Sequence, residues 1–512
     1  MKKTSTALFE LIHSLTMAEK KYFKMFSSFK GGDKSYLRLY DAIEKQGSYN
    51  EEAIHATCRG QNFLRHISVA KRRLHANILR SLENYHTSAD INLRSQLNKS
   101  EILLRKGLSD QALKLLKTAK PLSYQHEKWG LLIELLDMER ILYVAELRDM
   151  SHLNQEKKAV LEKLSNVHEY QTIHHEITRM VYKAGPLRTK KELLLVSKLM
   201  RHPLLRNSKQ ALCAEAKTYY YEIWSQYYRF KRDAIKGYHT SKEHCEFIKT
   251  HFHQLKDPGK RHLFALNSIV IFIGYLLPFK RSLYGEMQEV LKKLRSYPPI
   301  TNALVTFWVA SYVNELNALM QIGDFEKVIP VIKAIEENQD LLSQMPSSLR
   351  NSIYYNIAYM NFGADRYNEA LRWLQIIDWS AGIFRQDVQA SARLLSLLTH
   401  YELHKDEQLL NSLKRSTLHF LSTRHRLFKV EEALMHCLHQ IMGKAISKKE
   451  RSTAFQEFKT TLLKLRKNPI EKIAMEDFDF LSWVESKIQN KTFAEIVRKK
   501  VKRIAKKNNY TN

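Results

Sequence analysis

The chain has 512 residues, 44% of them hydrophobic, and carries 83 Lys and Arg against 53 Asp and Glu, a net charge of +30. Its 15 Gly and 10 Pro fall well below the roughly 7% and 5% of an average protein, which excludes a turn-rich β fold and favours long helices joined by short loops. Cys58, Cys213, Cys245 and Cys437 lie far apart with no Cys-x-x-Cys pair, so no disulfide framework is expected and a reducing, cytoplasmic setting fits.

The charge is uneven. Residues 1–90 hold 15 basic and 9 acidic side chains, and residues 440–512 hold 18 and 8. A field this positive attracts nucleic acid, anionic lipid or an acidic protein, and it equally suits a solvated surface with no site. Glu10 and His13 interrupt the stretch after Met1-Lys2-Lys3, so no signal-peptide core is expected.

Residues 1–90 read as a helical domain. Thr16 with Glu19 forms a capping box ahead of "MAEKKYFKMFSSF". Gly31-Gly32-Asp33 is expected to break that helix, and Gly47 to end the next. A long helix is expected over Asn62–Tyr85. Leu64, Ile67, Leu74, Ile78 and Leu82 share one face of it, and Arg65, Arg72, Arg73 and Arg80 fall within roughly a 100° arc on the other. A buried stripe backed by an arginine stripe, after several short helices, is what a helix-turn-helix reader presents to nucleic acid, and it is also an ordinary solvated face.

From about Leu93 the pattern becomes helical hairpins. In "SEILLRKGLSDQALKLLKTAKP" Gly107 makes the turn, and Ala112, Leu113, Leu116 and Ala119 line the second helix. "YVNELNALMQIGDFEKVIPVIKAI" turns at Gly323-Asp324. "FGADRYNEALRWLQII" turns at Gly363-Ala364-Asp365, with Tyr367 and Ala370 placed 42 residues after Phe325 and Val328. A fourth hairpin, centred on Ala234, Ile235 and Tyr238, lacks the turn glycine. Hairpins of this kind bury their apolar faces only by stacking.

At these positions the chain resembles the tetratricopeptide-repeat class of α-solenoids, through Gly107, Gly323, Phe325, Ala112, Val328, Ala119 and Pro121. The spacing of 42 departs from that family's period of about 34, and the helices expected over Met150–Lys183 and Leu204–Phe230 are long for it. The resemblance implies a concave surface that holds a peptide or another protein without catalysis. The expected organisation is an N-terminal helical domain (1–90), two solenoid halves (91–297 and 300–470) parted at Pro298-Pro299, and basic capping helices (471–512). Pro186 and Pro203 punctuate earlier helices.

"LFALNSIVIFIGYLLPF", Leu263–Phe279, is the longest apolar stretch, with 17 residues. A membrane span needs about 20, so a buried helix is expected and not an integral membrane protein. The last helix, "FAEIVRKKVKRIAKKNNY", packs Phe493, Ile496, Val497, Val501 and Ile504 on one side. Arg498, Lys499, Lys502, Arg503 and Lys506 are its candidates for polyanion contact.

Chemistry-bearing motifs are few. His239, His244, Cys245, His251 and His253 cluster in sequence, as does "HCLH" over His436–His439, but neither has a zinc-site spacing. "KGGDKS", Lys30–Ser35, interrupts a phosphate loop with Asp33, and "SVAK", Ser68–Lys71, lacks the partner motifs of Ser-x-x-Lys acylation. Glu336-Glu337 and Asp477 with Asp479 sit in ordinary helix-end contexts. No catalytic residue, metal or cofactor is expected. Three function classes follow: a non-catalytic scaffold for a protein or peptide, with Tyr219, Tyr220, Tyr221, Trp224, Tyr227 and Tyr228 as anchors or core; a nucleic-acid-binding regulator using the arginine helix; and an enzyme, which requires a pocket of converging titratable groups.

Overall fold

A computed structural model describes residues 6–29, 34–85, 89–145, 149–184, 190–297, 302–343, 345–379, 386–404, 406–424, 427–442, 446–468, 471–472, 475 and 478–507. The described residues are helical throughout and contain no strand. The helices pack against one another in two compact units, residues 1–161 and 162–512. The breaks expected at Gly31-Gly32-Asp33, Pro186 and Pro298-Pro299 lie outside the described residues, as do the glycines of "KGGDKS" and Asp477.

In the first unit, α1 (Ala7–Ser14) and α2 (Met17–Phe29) are separated by the expected capping box. Thr16 N and Oγ1 both donate to Glu19 Oε2, at 2.7 and 2.8 Å, and Glu19 N donates to Thr16 Oγ1. Then come α3 (Lys34–Glu44), α4 (Glu51–Thr57) and, after a turn at Gly60 with φ +84°, a 3-10 segment over Asn62–His66 that leads into α5 (Ile67–Tyr85). The long helix expected from Asn62 therefore begins as a tighter turn. Its apolar face is the one the spacing gives: Leu74 and Ile78 are fully buried against Ile12, Phe23, Leu39 and Ile54, with Leu64, Ile67 and Leu82 at the edge. The antiparallel helices α6 (Ala89–Arg105), α7 (Ser109–Gln125) and α8 (Trp129–Ala145) follow, each packed on the next.

The stop after α6 recurs. Gly107, at φ +71°, lets Gly107 N reach Leu104 O and Leu108 N reach Leu103 O, a double bond pattern that satisfies the last carbonyls. Gly323 at φ +74° closes α15 (Asn302–Ile322) in the same way. Other ends use a residue with a side chain instead, among them Glu127 (φ +50°) after α7, Arg232 (φ +53°) after α11 (Ala214–Lys231) and Asp365 (φ +57°) after α18 (Ser347–Gly363). The hairpin without a turn glycine thus forms all the same. Gly363 is not the turn residue: it is the last helical residue of α18, and a Cβ there would overlap the Phe325 ring.

The second unit takes in most of α9 (Ser151–Ala184), the long helix expected from Met150, and then α10 (Lys190–Leu199). The helix expected over Leu204–Phe230 is broken at its start into 3-10 segments over Pro203–Leu205 and Ser208–Gln210, and α11 begins only at Ala214. The cause is tertiary. Tyr170 OH donates to Leu204 O at 2.6 Å, Asn166 Nδ2 donates to Gln210 O, and Leu212 N donates to Asn166 Oδ1, so α9 takes up backbone groups a helix would have paired internally.

After α11 come α12 (Ala234–Thr250), α13 (Pro258–Leu276), α14 (Leu283–Arg295), α15, the short α16 (Ile329–Glu336) and α17 (Gln339–Ser343), α18, α19 (Tyr367–Gln375), α20 (Gln386–Glu402) and α21 (Glu407–Thr423). Each of α13, α15, α18 and α20 packs on the next of that set across the intervening chain, while α14 pairs with α13 and α15, and α19 with α18 and α20. The apolar stretch from Leu263 is α13, buried from Leu263 through Ile273 except at Phe264 and Asn267. Among the described residues no helix is long and apolar enough to cross a membrane.

The chain ends in α22 (Lys429–Ile441), α23 (Lys448–Leu465), α24 (Phe480–Gln489) and α25 (Phe493–Lys507), and α25 packs back on α15. Phe478 and Phe493 stack at 5.8 Å and enclose Phe325, Tyr359 and Phe362, residues more than a hundred positions earlier. Large aromatics bring much of the burial in such a closure.

Gly237 of α12 lies against the Phe272 ring of α13, which a Cβ would overlap, while Gly285 of α14 has open space around it. Gly237→Ala is expected to destabilise by about 1–3 kcal/mol through overpacking, and Gly285→Ala to stabilise by about 0.5–1 kcal/mol through helix propensity. Thermal unfolding of the two variants checks the opposite signs.

Candidate functional site

Three places carry unusual chemistry. On the first unit, Arg65, Arg72, Arg73 and Arg80 are all exposed, and the sequence from Ala53 to Leu82 contains no Asp or Glu. Arg59 and His66 are exposed beside them at the entry to α5. Arg65, Arg72 and Arg80 form no ion pair among the described residues. Lys71, on the flank of the helix, is taken up instead: its Nζ donates to Tyr49 OH and Glu51 Oε1, both at 2.6 Å. That contact also disposes of "SVAK" as a catalytic pair, because the lysine is held by a carboxylate and keeps its charge: burial works against it, but the bonds to Glu51 and Tyr49 prevail and raise its pKa.

On α25 the expected basic residues divide. Arg498 packs over Gly323, and its Nε donates to Gly323 O at 2.9 Å. Lys499 reaches Gln489 at 3.4 Å. Lys502, Arg503 and Lys506 are exposed. Lys500, not singled out by the sequence, pairs with Asp479 at 2.6 Å, and that charge with the Ser482 bonds outweighs burial to hold the Asp479 carboxyl below its usual range. Phe493, Val497 and Val501 are buried, so the helix fastens by its apolar face.

The third place is a buried ionic network in the second unit. Arg261, near the start of α13, donates from Nη1 to Glu222 Oε1 at 2.8 Å and from Nη2 to Glu215 Oε1, both carboxylates lying on α11. Its guanidinium lies 4.2 Å from the centre of the Tyr219 ring. His174 Nε2 of α9 meets the other oxygen of Glu222 at 3.1 Å. Burial lowers the Arg261 pKa, but Glu222 and Glu215 outweigh it and raise it, so this arginine stays charged. For His174 burial prevails over Glu222 and the pKa falls, so at neutral pH the contact is a hydrogen bond from a neutral ring rather than an ion pair. Removing one partner of so buried a pair strands the other charge and costs about 3–5 kcal/mol.

His244 of α12 completes the region. It is 1% exposed, stacks on Tyr221 at 5.4 Å, and burial pushes its pKa down to about 4. Cys245 beside it is buried, and its thiol is pushed up to about 11 by burial. Neither joins His251 or His253 in a ligand set: among the described residues no group of His, Cys, Asp and Glu is arranged to hold a metal ion. His439 of "HCLH" faces Lys414 at 3.2 Å. The six aromatics of α11 are all partly buried, packed among themselves and against Phe247 and His244. All four cysteines are free and buried.

The chain matches no protein-family model, no curated protein and no solved structure. Its chemistry is therefore argued from its own residues.

His244 gives a pH dependence with a definite sign. Its pKa is near 4 folded against 6.5 unfolded, so between those values the unfolded chain binds more protons and stability falls as pH falls. His174 and His262 are lowered by burial and act in the same direction. The thermal midpoint is expected to drop as pH is lowered from 7 towards 4, and His244→Phe to flatten that drop by on the order of 3 kcal/mol. An unchanged slope in the variant contradicts the assignment.

Proposed function

We propose that the protein is a non-catalytic scaffold: an irregular, tetratricopeptide-like stack of helical hairpins whose inner helices hold a protein or peptide partner. The observation that carries this reading is the packing of α13, α15, α18 and α20 on one another across the chain between them. Stacked alternate helices form a continuous wall, and the wall of such arrays is where partners lie. Composition supports it. In a chain of net charge +30, α15 has one charged residue, Glu315, and α18 has one, Arg350. Glu315 is engaged by Arg295 and Gln288 of α14, so it serves the stack and not the wall. Four buried, unbridged cysteines fit a cytoplasmic setting.

The test is purification of the tagged protein at native expression level, with half the eluate treated with nuclease. The scaffold reading expects partner proteins that survive nuclease. Loss of every co-purifying protein on treatment counts against it.

A second reading, a nucleic-acid-binding regulator, is favoured by the acid-free run from Ala53 to Leu82 and its exposed arginines. Phosphate contact by such a face is non-specific in the first instance and strongly salt-dependent. If it holds, Arg72→Ala with Arg73→Ala weakens binding to a double-stranded DNA probe and makes the slope of log affinity against log salt shallower by roughly 2. Equal affinity and slope in the double variant exclude that face.

A further inference from the structure

Three helices of the second unit, α13, α15 and α18, are joined by side-chain amides. Asn314 Nδ2 on α15 donates to Asn267 Oδ1 on α13 at 2.8 Å. One turn further along α15, Asn317 Oδ1 accepts from Asn356 Nδ2 of α18 at 3.0 Å, and the same Asn356 amide lies 3.2 Å from Val313 O. Four asparagines thus run across α13, α15 and α18.

Each of these bonds uses only part of an amide, which offers two donor hydrogens and an acceptor oxygen. Among the described residues no hydrogen bond uses Asn267 Nδ2, Asn314 Oδ1 or Asn317 Nδ2. Asn267, Asn314 and Asn317 are partly exposed, as are Phe264, Ala310 and Val313 beside them. On α15, Ala310, Val313, Asn314 and Asn317 fall within an arc of roughly 100°, and Glu315 points the opposite way. The strip is uncharged, amide-rich and open to water.

We propose that this amide row binds an extended peptide segment of a partner protein by hydrogen-bonding its main chain. The proposal rests on the scaffold reading and names its ligand. An extended backbone presents free N–H and C=O groups, with every second residue, about 6.6–7 Å apart, on the same side. Side-chain amides that can both donate and accept match such groups whatever the sequence. A helical ligand has nothing to offer them, because its backbone groups are paired internally. A polyanion needs cations against its phosphates, and the strip has none. Main-chain bonds of this type supply affinity, while the apolar residues beside them, Phe264 and Val313, choose among side chains.

The experiment uses the full chain and random-sequence peptides displayed on phage. An enriched peptide is synthesised, and its binding is measured by fluorescence anisotropy to the wild type, to Asn314→Ala, to Asn317→Ala and to Glu289→Ala on α14. A second series carries single backbone N-methyl groups in the peptide and uses the wild-type protein, so it does not depend on how the variants fold. The expected result is a loss of about tenfold for each asparagine variant, the worth of a hydrogen bond or slightly more, no loss for Glu289→Ala, and a similar loss at one or more N-methyl positions. The proposal is overturned if no peptide is enriched, or if the enriched peptide binds the asparagine variants as tightly as wild type. The two readings fail separately. A native partner held equally by wild type and Asn314→Ala removes the amide row and leaves the scaffold; no native partner at all removes the scaffold.

Discussion

The stack depends on a few places where one helix comes close to another because a side chain is missing. Gly237 of α12 sits against Phe272 of α13, Gly363 ends α18 against Phe325, and at Gly274 a Cβ would lie 3.2 Å from the Cβ of Ala318 on α15. Interiors are packed at crystal density, so such contacts fix the register of two helices and leave little slack. The Gly274–Ala318 contact lies on the same pair of helices as the bond from Asn314 to Asn267, about two turns away along α13 and one along α15. A helix pair held at the glycine is held at the amides too. The candidate binding strip is in this sense a consequence of core packing.

The charge of the protein is distributed to leave that strip alone. Cations gather on α5 and α25, and the strongest internal cation, Arg261, is balanced by Glu215 and Glu222. The helix α25 returns to α15 and covers the turn at Gly323, so the aromatic group of Phe325, Tyr359, Phe362, Phe478 and Phe493 closes the second unit upon itself. Charged residues that the sequence suggests as a polyanion grip are, at Arg498, part of that closure.

Local features were legible in the sequence. The scarcity of Gly and Pro and the helical spacing of apolar residues foretell an all-helical chain. Thr16 with Glu19 foretells a cap, Gly107 and Gly323 foretell turns, and the stripe from Leu64 to Leu82 foretells the buried face of α5. What was not legible depends on partners far away in the chain. The unwinding at Leu204–Leu212 is imposed by Tyr170 and Asn166, which sit 34 to 46 residues earlier. The network at Arg261 draws its carboxylates from 39 and 46 residues away and from a different helix. Gly363 reads as a turn in the sequence because nothing local reveals the Phe325 ring it accommodates, and Asp365 takes the left-handed position in its place. The asparagine row left no signal either, since single asparagines within apolar helices have meaning only once the helices are side by side.

The central claim is that the wall formed by α13, α15 and α18 is the working surface of a scaffold. The most direct measurement places a photo-crosslinking amino acid at Val313 on that wall, and in a second protein at Glu289 on α14, each at native expression level, and identifies crosslinked products by mass spectrometry. The account predicts a defined partner protein attached at position 313 and absent at position 289, with the crosslinked partner residues forming one short contiguous segment. Crosslinks at 289 with none at 313 would contradict it.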